Sequence, residues 1–199
     1  MTGLPDLILA SASPRRRGLL GDLGLRFTVR AADIDESPLP DEAPGDTVLR
    51  LAIAKAATRA HPGELVLAAD TIVVIDGELL GKPADEAEAR RMLGRIAGRE
   101  HTVLTAVALE EPGKGHRISA VYSSRVRMAA LTPRQIAWYV ATGEPMDKAG
   151  SYAIQGIGAL FVEEVFGNYT NVVGLPLPLT YRLFREIGYD LMDFQASRT

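Results

Sequence analysis

The stretch from residue 7 to residue 17 constrains the fold more than any other, because it joins an apolar strand directly to a helix that begins with arginines. Leu7 to Ala10 is a short apolar run of the kind found in buried strands. Ser13 is a preferred helix N-cap, and Pro14 suits the first helical position because that position needs no backbone donor. We therefore expect a strand, a turn and a helix whose free backbone N–H groups attract an anion.

Three arginines, Arg15, Arg16 and Arg17, occupy the first turn of that helix. Positive charges at a helix N-terminus oppose the macrodipole and are unfavourable for stability alone. They become favourable when a multiply charged anion, such as a phosphate chain, requires planar bidentate donors. Two interpretations remain open at this point: a phosphate-binding helix start, or a capped helix with solvated arginines.

Length and composition restrict the class of protein. The 199 residues suffice for one large domain or two closely joined lobes, and 47% of them are hydrophobic, enough for a sizeable core. The net charge of −3 and the lack of a long basic block argue against a stable nucleic-acid partner. Without cysteine, the chain has no disulfide, no thiolate zinc site and no cysteine nucleophile. His61, His101 and His116 are too scattered to predict a histidine metal site.

The beginning of the chain shows no pattern of a signal peptide, which would need a charged start followed by a long apolar stretch. No apolar run approaches the roughly 20 residues of a membrane helix. We therefore expect a cytoplasmic protein without a membrane partner.

Strand and helix patterns alternate along the chain, which is typical of an α/β fold. Apolar runs and turn residues predict strands at 7–10, 26–30, 65–75, 78–80, 101–109 and 118–128. Helical spacing and end signals predict helices that begin at 13 and 132 and that span 46–60, 84–96 and 176–187. The remaining stretches are predicted to be an acidic, proline-bearing surface loop at 31–44, a glycine-rich strand-like segment at 150–165 and a loose polar tail from about 193.

The 65–80 and 101–128 regions resemble hairpins, so we expect a mixed central β-sheet flanked by helices. The sequence contains no internal repeat, no low-complexity segment and no linker long enough to separate domains. We therefore predict a single domain over residues 1–199.

Asp70 is the second informative residue, because it interrupts the apolar run from Leu65 to Ile75. An ionised carboxylate inside a buried strand is costly unless it is paired or binds a metal. The functional interpretation is a metal ligand or a general base at the rim of a cleft. The alternative is a strand end or bulge at which Asp70 merely caps a turn.

Three further charged residues are candidates for the same chemistry. Glu36 lies in the acidic loop and would help Asp70 to hold Mg²⁺ if that loop folds over the first helix. Lys55 lies on a rather apolar predicted helix, and Lys82 follows a turn between Gly81 and Pro83. Each lysine is an ordinary surface residue by default, but together with Arg15 and Arg16 they would supply the positive charge that a triphosphate needs.

The third informative segment runs from Gly150 to Gly158 and includes Gln155. Its glycines, at 150, 156 and 158, would allow a close approach of the backbone to a ligand. The Gln155 amide offers a paired donor and acceptor that suit the edge of a nucleobase. The alternative is a glycine-rich hairpin with an exposed glutamine. The chain contains neither a P-loop nor a nucleophile elbow, which disfavours a kinase-like NTPase and a serine hydrolase.

Taken together, these motifs resemble the Maf family of nucleoside triphosphate pyrophosphatases, from Leu7 to about Ile187. Each motif alone is weak, but their order and spacing together are specific. The matching segments are Ser11 to Arg16, Asp35-Glu36, Lys55, Ala69 to Thr71, Gly81 to Pro83, Gly98 to Thr105, Asp147 to Gly150 and Val172 to Leu177. Two departures are Ala153, where related sequences often carry glycine, and Arg17, which extends the arginine pair.

The resemblance implies a fold with two lobes around a cleft, like that of inosine triphosphate pyrophosphatases, and hydrolysis of a nucleoside triphosphate with a divalent cation, Mg²⁺ or Mn²⁺. It implies that Asp70 is the proton acceptor and that Asp70 and Glu36 hold the metal. It places Lys82 among the catalytic residues with Asp70 and Glu36. The residues that it assigns to substrate binding or specificity are Ser11, Ser13, Arg15, Arg16, Lys55, Thr71 and Gln155.

The combination of Arg15, Thr71 and Gln155 resembles the branch of the family that acts on dTTP, UTP and modified pyrimidine nucleotides. The resemblance also suggests a homodimer. Two alternative functions remain: a purine-directed house-cleaning pyrophosphatase on a similar fold, and a nucleotide-binding regulator of cell division.

Overall fold

The computed structural model describes residues 3–196 of the chain. Its strands are β1 (Asp6–Leu9), β2 (Thr28–Val29), β3 (Glu64–Ile75), β4 (Glu78–Leu80), β5 (Glu100–Glu111), β6 (His116–Met128) and β7 (Val162–Phe166). Its α-helices are α1 (Pro14–Asp22), α2 (Pro44–Thr58), α3 (Glu86–Ile96), α4 (Pro133–Ala141), α5 (Tyr169–Val173) and α6 (Leu177–Glu186). Among these described residues, no helix has the length and apolar character needed to cross a membrane.

The strands form a mixed sheet in the order β2-β1-β3-β5-β6-β7, with β4 paired to β3. β1 runs parallel to both β2 and β3, whereas β4 is antiparallel to β3 and β7 is antiparallel to β6. The predicted α/β class with a mixed sheet and flanking helices is therefore confirmed. The hairpin between β3 and β4 turns at Asp76 and Gly77, both of which have positive φ, as the sequence predicts for an Asp-Gly turn.

The chain divides into two compact units, and β3, β5 and β6 each contribute residues to both. Unit 1 comprises residues 1–70, 105–122 and 174–199, and unit 2 comprises residues 71–104 and 123–173. Each unit has its own apolar core. The unit 1 core includes Leu9, Leu67 and Phe184, and the unit 2 core includes Val73, Leu93 and Tyr139. The single domain and the cleft between lobes stay predictions.

Local sequence signals explain where several helices begin. The Ser13 side chain accepts a hydrogen bond from the Arg16 backbone N–H, and Pro14 follows at the first helical position, as predicted. Thr132 and Gln135 form a reciprocal capping box at the start of α4. The short α5 is a helix that the sequence patterns did not predict.

The prediction of a strand-like segment at 150–165 is wrong for most of its length. Short 3-10 turns occupy Ala149–Ser151 and Gly156–Phe161, and only Val162–Phe166 is a strand. Gly150, Ser151 and Gly156 all have positive φ, which is incompatible with an extended strand.

The prediction of a loose polar tail from about residue 193 is wrong for residues 193–196. Leu191–Phe194 forms a 3-10 turn, and the Phe194 side chain is buried in the unit 1 core. The backbone N–H of Arg26 donates to the Phe194 carbonyl, and that of Ala196 donates to the Gly24 carbonyl. The chain is therefore held by burial and hydrogen bonds through residue 196, and the last predicted tail residues, 197–199, lie outside the described part.

Candidate active site

The parallel register of β1 and β3 brings the start of α1 beside Asp70 within unit 1. Leu9 pairs with Leu67, and the backbone N–H of Ala10 donates to the Leu67 carbonyl at 2.8 Å. Ser11 follows where β1 ends, and Asp70 lies three residues beyond Leu67 on the neighbouring strand. The charge of Asp70 acts on the Arg16 guanidinium, which donates to Ser11 Oγ at 3.1 Å, so the start of α1 and Asp70 lie close together. The proposed phosphate site requires the start of α1 to lie near Asp70, and in the structure the two are close.

Asp70 is buried within β3 and is paired with a buried lysine. Its side chain is 9% exposed, as is that of Lys55 on α2, and Lys55 Nζ lies 2.6 Å from Asp70 Oδ1. Because β3 continues to Ile75, the alternative that Asp70 ends a strand is wrong. The ammonium group compensates the desolvation of the carboxylate, so neither charge is isolated in the interior. The default expectation of a surface lysine at position 55 is also wrong.

Glu36 shares the same ammonium group. Lys55 Nζ lies 2.6 Å from Glu36 Oε1, so the carboxylate oxygens of Glu36 and Asp70 are at most twice that distance apart. The Glu36 side chain is 45% exposed, whereas Asp70 is buried. The acidic loop therefore places a solvent-accessible carboxylate against a buried one, as the sequence interpretation requires.

Arg50 fastens the acidic loop to α2. Its guanidinium donates to both carboxylate oxygens of Glu42, at 2.6 and 2.7 Å, and to the Ser37 carbonyl at 3.1 Å. The hydrogen-bonded guanidinium lowers the pKa of Glu42 to about 2. Ser37 directly follows Glu36 in the chain. This bidentate pair therefore restrains the loop next to the residue that reaches Lys55.

The arginines at the start of α1 differ in their surroundings. The Arg16 guanidinium donates to the Gly174 carbonyl at 2.7 Å and to Ser11 Oγ at 3.1 Å. Burial lowers the pKa of Arg16, and the nearby charge of Asp70 opposes that shift. The alternative of a solvated arginine is therefore wrong for Arg16, which is held in place within electrostatic reach of Asp70. Arg15 is half-buried and Arg17 is exposed.

Asp70 and Glu36 form a donor set that suits a divalent cation. Both present carboxylate oxygens to one cationic group, the Lys55 ammonium. Mg²⁺ prefers oxygen ligands and is commonly bound by one or two carboxylates together with water and substrate phosphates. In the described part of the chain, no group of three or more His, Asp or Glu residues is placed to hold a metal. The two carboxylates thus fit a metal that completes its shell with phosphate and water oxygens.

The remaining predicted site residues belong to unit 2. Thr71 follows Asp70 on β3 and is half-buried, and alternation along a strand directs its side chain to the opposite face from Asp70. Lys82 is exposed in the turn after β4, and Gln155 is exposed directly before the 3-10 turn Gly156–Phe161. Seven of the predicted residues, by contrast, belong to unit 1: Ser11, Ser13, Arg15, Arg16, Glu36, Lys55 and Asp70.

The glycines of the 150–158 segment serve packing within the protein. A Cβ at Gly150 would lie 2.9 Å from a methyl carbon of Val73, and one at Gly156 would lie 2.5 Å from Glu144 Oε2. A Cβ at Gly158 would lie 2.5 Å from the Tyr139 hydroxyl. At Gly158 the Ala153 carbonyl oxygen would lie closer still, at 2.3 Å. Each glycine therefore makes room for a neighbouring protein group, and the approach of a ligand to their backbone stays a prediction.

Sequence reasoning missed the groups that hold the site residues in place. The Gly174 carbonyl and Arg16 are separated by 158 residues along the chain, a distance at which no local pattern is informative. The pair of Arg50 and Glu42 spans a helix boundary and leaves no periodic signal. The backbone donors to Glu144 lie 13 and 14 residues further along the chain, so no local pattern indicates them either.

Comparison with known proteins gives a consistent set of relatives. Residues 6–187 match the family described as Maf-like protein. The chain is 56% identical over 189 residues to the dTTP/UTP pyrophosphatase of Anaeromyxobacter dehalogenans strain 2CP-C, which covers 94% of this chain and 96% of that protein. It is 53% identical over 187 residues to the dTTP/UTP pyrophosphatase of Myxococcus xanthus strain DK1622 (93% and 94% covered). It is 50% identical over 190 residues to that of Symbiobacterium thermophilum (94% and 97% covered).

Proposed function

The chain belongs to the Maf-like protein family, and on that premise we propose that it hydrolyses dTTP and UTP to the nucleoside monophosphate and pyrophosphate. The observation that carries the proposal is the buried pair of Lys55 and Asp70, 2.6 Å apart, beside a helix start that bears arginines. The relatives named dTTP/UTP pyrophosphatase match nearly the full length of the chain at 50–56% identity, which supports the same substrates.

Hydrolysis of the triphosphate needs a base for water and positive charge for the phosphates. We assign the base to Asp70, whose buried carboxylate lies 2.6 Å from the Lys55 ammonium. Water loses a proton to Asp70 and bonds to the α-phosphorus, and the bond from that phosphorus to the α–β bridging oxygen breaks. Pyrophosphate leaves with the bridging oxygen and its electron pair. Charge that develops on the phosphate oxygens is stabilised by preorganised donors.

The start of α1 supplies those donors. Its first backbone N–H groups and the side chain of Arg15 are assigned to the phosphates, together with the Arg16 guanidinium. Arg16 is oriented by the Gly174 carbonyl and by Ser11, so its orientation does not have to be established when substrate binds. Lys82 is assigned to the same role, as the family resemblance implies.

Asp70 and Glu36 would hold a divalent cation, Mg²⁺ or Mn²⁺, which when bound neutralises phosphate charge and lowers the pKa of water. Because the Lys55 ammonium contacts both carboxylates, such a cation would compete with it for the oxygens of Asp70 and Glu36. We assign recognition of the nucleobase to Gln155, with Thr71 in a supporting role. The Gln155 amide matches the O4 and N3–H edge of thymine or uracil. The edge of cytosine has the reversed donor pattern, which the flipped amide would match, so Gln155 alone gives limited discrimination.

The family resemblance further implies a cytoplasmic enzyme that acts on free nucleotides as a homodimer. The net charge of −3 supports a small-molecule substrate over a nucleic-acid partner. Sedimentation velocity of the purified chain tests the dimer, with a monomer as the contradicting result.

A panel of nucleoside triphosphates with detection of pyrophosphate and added Mg²⁺ tests the function. We expect dTTP and UTP to be turned over with higher kcat/KM than dCTP, dATP and dGTP. In ¹⁸O-labelled water the label should enter the nucleoside monophosphate, because water bonds to the α-phosphorus.

Three results of the same panel would contradict the proposal. Label in the pyrophosphate would contradict attack at the α-phosphorus. Preferred turnover of purine triphosphates would favour the purine-directed alternative, and binding of nucleotides without turnover would favour the regulatory one.

A further inference from the structure

The carboxylate of Glu144 accepts three hydrogen bonds within unit 2. The backbone N–H of Ile157 donates to Oε2 at 2.9 Å, and that of Gly158 donates to Oε1 at 2.8 Å. The Tyr139 hydroxyl donates to Oε1 at 2.7 Å. Burial alone would raise the pKa of Glu144, but these donors outweigh it and lower the pKa. Glu144 is therefore a charged acceptor for the backbone N–H groups at the beginning of the turn Gly156–Phe161.

The Tyr139 hydroxyl holds the other end of the same segment. It accepts a hydrogen bond from the backbone N–H of Ala153 at 3.1 Å, while its own hydrogen goes to Glu144. The Tyr139 ring is fully buried and packs edge-to-face on Phe161 with ring centres 5.4 Å apart. The Tyr139 hydroxyl and the Glu144 carboxylate, which are hydrogen-bonded to each other, thus bind the backbone N–H groups of residues 153, 157 and 158.

Close packing around these side chains requires two glycines of the segment. A Cβ at Gly156 would lie 2.5 Å from Glu144 Oε2, and one at Gly158 would lie 2.3 Å from the Ala153 carbonyl oxygen and 2.5 Å from the Tyr139 hydroxyl. Gly156 also has a φ of +80°, a backbone conformation that residues other than glycine rarely adopt. The segment and the pair of Glu144 and Tyr139 therefore fit together as one unit.

Gln155 lies between the held positions and is itself exposed. An exposed glutamine contributes little to the core. The hydrogen bonds that fix the neighbouring backbone therefore do not serve to bury the Gln155 side chain. A side chain that must recognise a planar base edge benefits from a fixed backbone, because less freedom is lost on binding. This is the expected arrangement for a specificity residue on an otherwise irregular segment.

We propose that Glu144 and Tyr139 are positioning residues that fix the backbone of residues 153–158 and thereby set the nucleobase selectivity exerted through Gln155. The inference rests on the proposed function, since it concerns how a pyrimidine triphosphate is chosen. Neither residue touches the substrate; each acts through Gln155.

The test replaces Tyr139 by phenylalanine, which keeps the buried ring and removes both hydrogen bonds. We expect kcat/KM for dTTP to fall about tenfold, through KM more than kcat, because a lost positioning bond weakens base binding in ground and transition states alike. The preference for dTTP over dCTP should fall to about that of Gln155→Ala. Tyr189→Phe is the matched control, because it removes a tyrosine–glutamate bond of the same 2.7 Å length in unit 1.

The double variant Tyr139→Phe/Gln155→Ala separates positioning from general loosening. If Tyr139 acts through Gln155, the double variant has the same dTTP to dCTP ratio as Gln155→Ala alone. If the two effects multiply, or if Tyr139→Phe leaves the ratio unchanged, the inference is overturned. Cooperative thermal unfolding confirms that each variant folds, and Glu144→Gln, which turns one acceptor oxygen into a donor, decides the question if Tyr139→Phe does not fold.

Failure of the inference differs from failure of the proposed function. A wild-type protein that hydrolyses dTTP and UTP, with variants that keep its selectivity, leaves the function standing and removes the positioning roles. A wild-type protein that neither binds nor hydrolyses dTTP and UTP overturns both.

Discussion

Lys55 Nζ lies 2.6 Å from Asp70 Oδ1, and both side chains are buried between α2 and β3. A buried ion pair contributes little net stability, but the loss of one partner leaves an uncompensated charge in the interior. The pair therefore couples the fold of unit 1 to the chemistry proposed for Asp70.

Replacement of Lys55 by methionine should lower the free energy of unfolding by about 3–5 kcal/mol, because the Asp70 carboxylate is left buried without its partner. In an Asp70→Asn background the same replacement should cost clearly less, since no charge is then stranded. Urea unfolding of the four proteins at neutral pH measures both values. Equal costs in the two backgrounds would show that the pair is not coupled. Arg90→Met, on an exposed helix pair, serves as the control and should have little effect.

Removal of the divalent cation by EDTA should abolish pyrophosphate release, and excess Mg²⁺ or Mn²⁺ should restore it. Glu36→Gln should raise the Mg²⁺ concentration for half-maximal rate by roughly 10- to 100-fold, since loss even of groups that only support metal ligands has effects of this size. Metal titrations of the wild type and the variant provide the comparison. Full activity in EDTA would contradict the assignment of Asp70 and Glu36 as metal ligands.

Arg50→Ala should reduce turnover severalfold, because the guanidinium that fastens the acidic loop at Glu42 and Ser37 is lost. Glu36 would then be held against Lys55 less firmly, and amide hydrogen exchange in residues 36–42 should accelerate. The matched control is Arg117→Ala, which removes a bidentate pair with Glu110 elsewhere in unit 1. An equal loss of activity in both variants would mean that loop restraint is not the cause.

Acid should destabilise the fold through His101. Burial lowers the pKa of His101 to about 4 from its ordinary 6.5, so the folded state resists protonation while the unfolded state accepts it. Stability from the neutral ring is present above pH 6.5 and is lost as the pH falls through this window. Between pH 7 and pH 5 the wild type should lose about 2 kcal/mol more than His101→Asn. Urea unfolding at the two pH values checks this, and parallel losses would contradict it.

The local parts of the site were predictable from sequence because their signals are local. Ser13 and Pro14 identify the start of α1 by capping chemistry, and Asp70 stands out because a charge inside an apolar strand demands a partner. That the two lie close together follows from the parallel pairing of β1 and β3, a tertiary feature that the pattern allowed but did not require.

Other features depend on contacts distant in sequence. Lys55 was expected at the surface, because only the fold reveals that Asp70 and Glu36 surround it. The segment containing Gly156 and Gly158 was predicted to be extended. Its conformation is instead set by Glu144 and Tyr139, whose hydrogen bonds satisfy the backbone groups that a strand would have paired.

The role of Asp70 as proton acceptor is tested by kcat for dTTP in Asp70→Asn, compared with kcat in Asp76→Asn. Both change an aspartate to asparagine on the same hairpin, but Asp76 lies in its exposed turn and pairs with Arg99. We expect Asp70→Asn to fold and to lose about 100-fold or more in kcat, because the proton acceptor is gone, whereas Asp76→Asn keeps nearly wild-type turnover. Undiminished turnover in folded Asp70→Asn would show that Asp70 is not the proton acceptor.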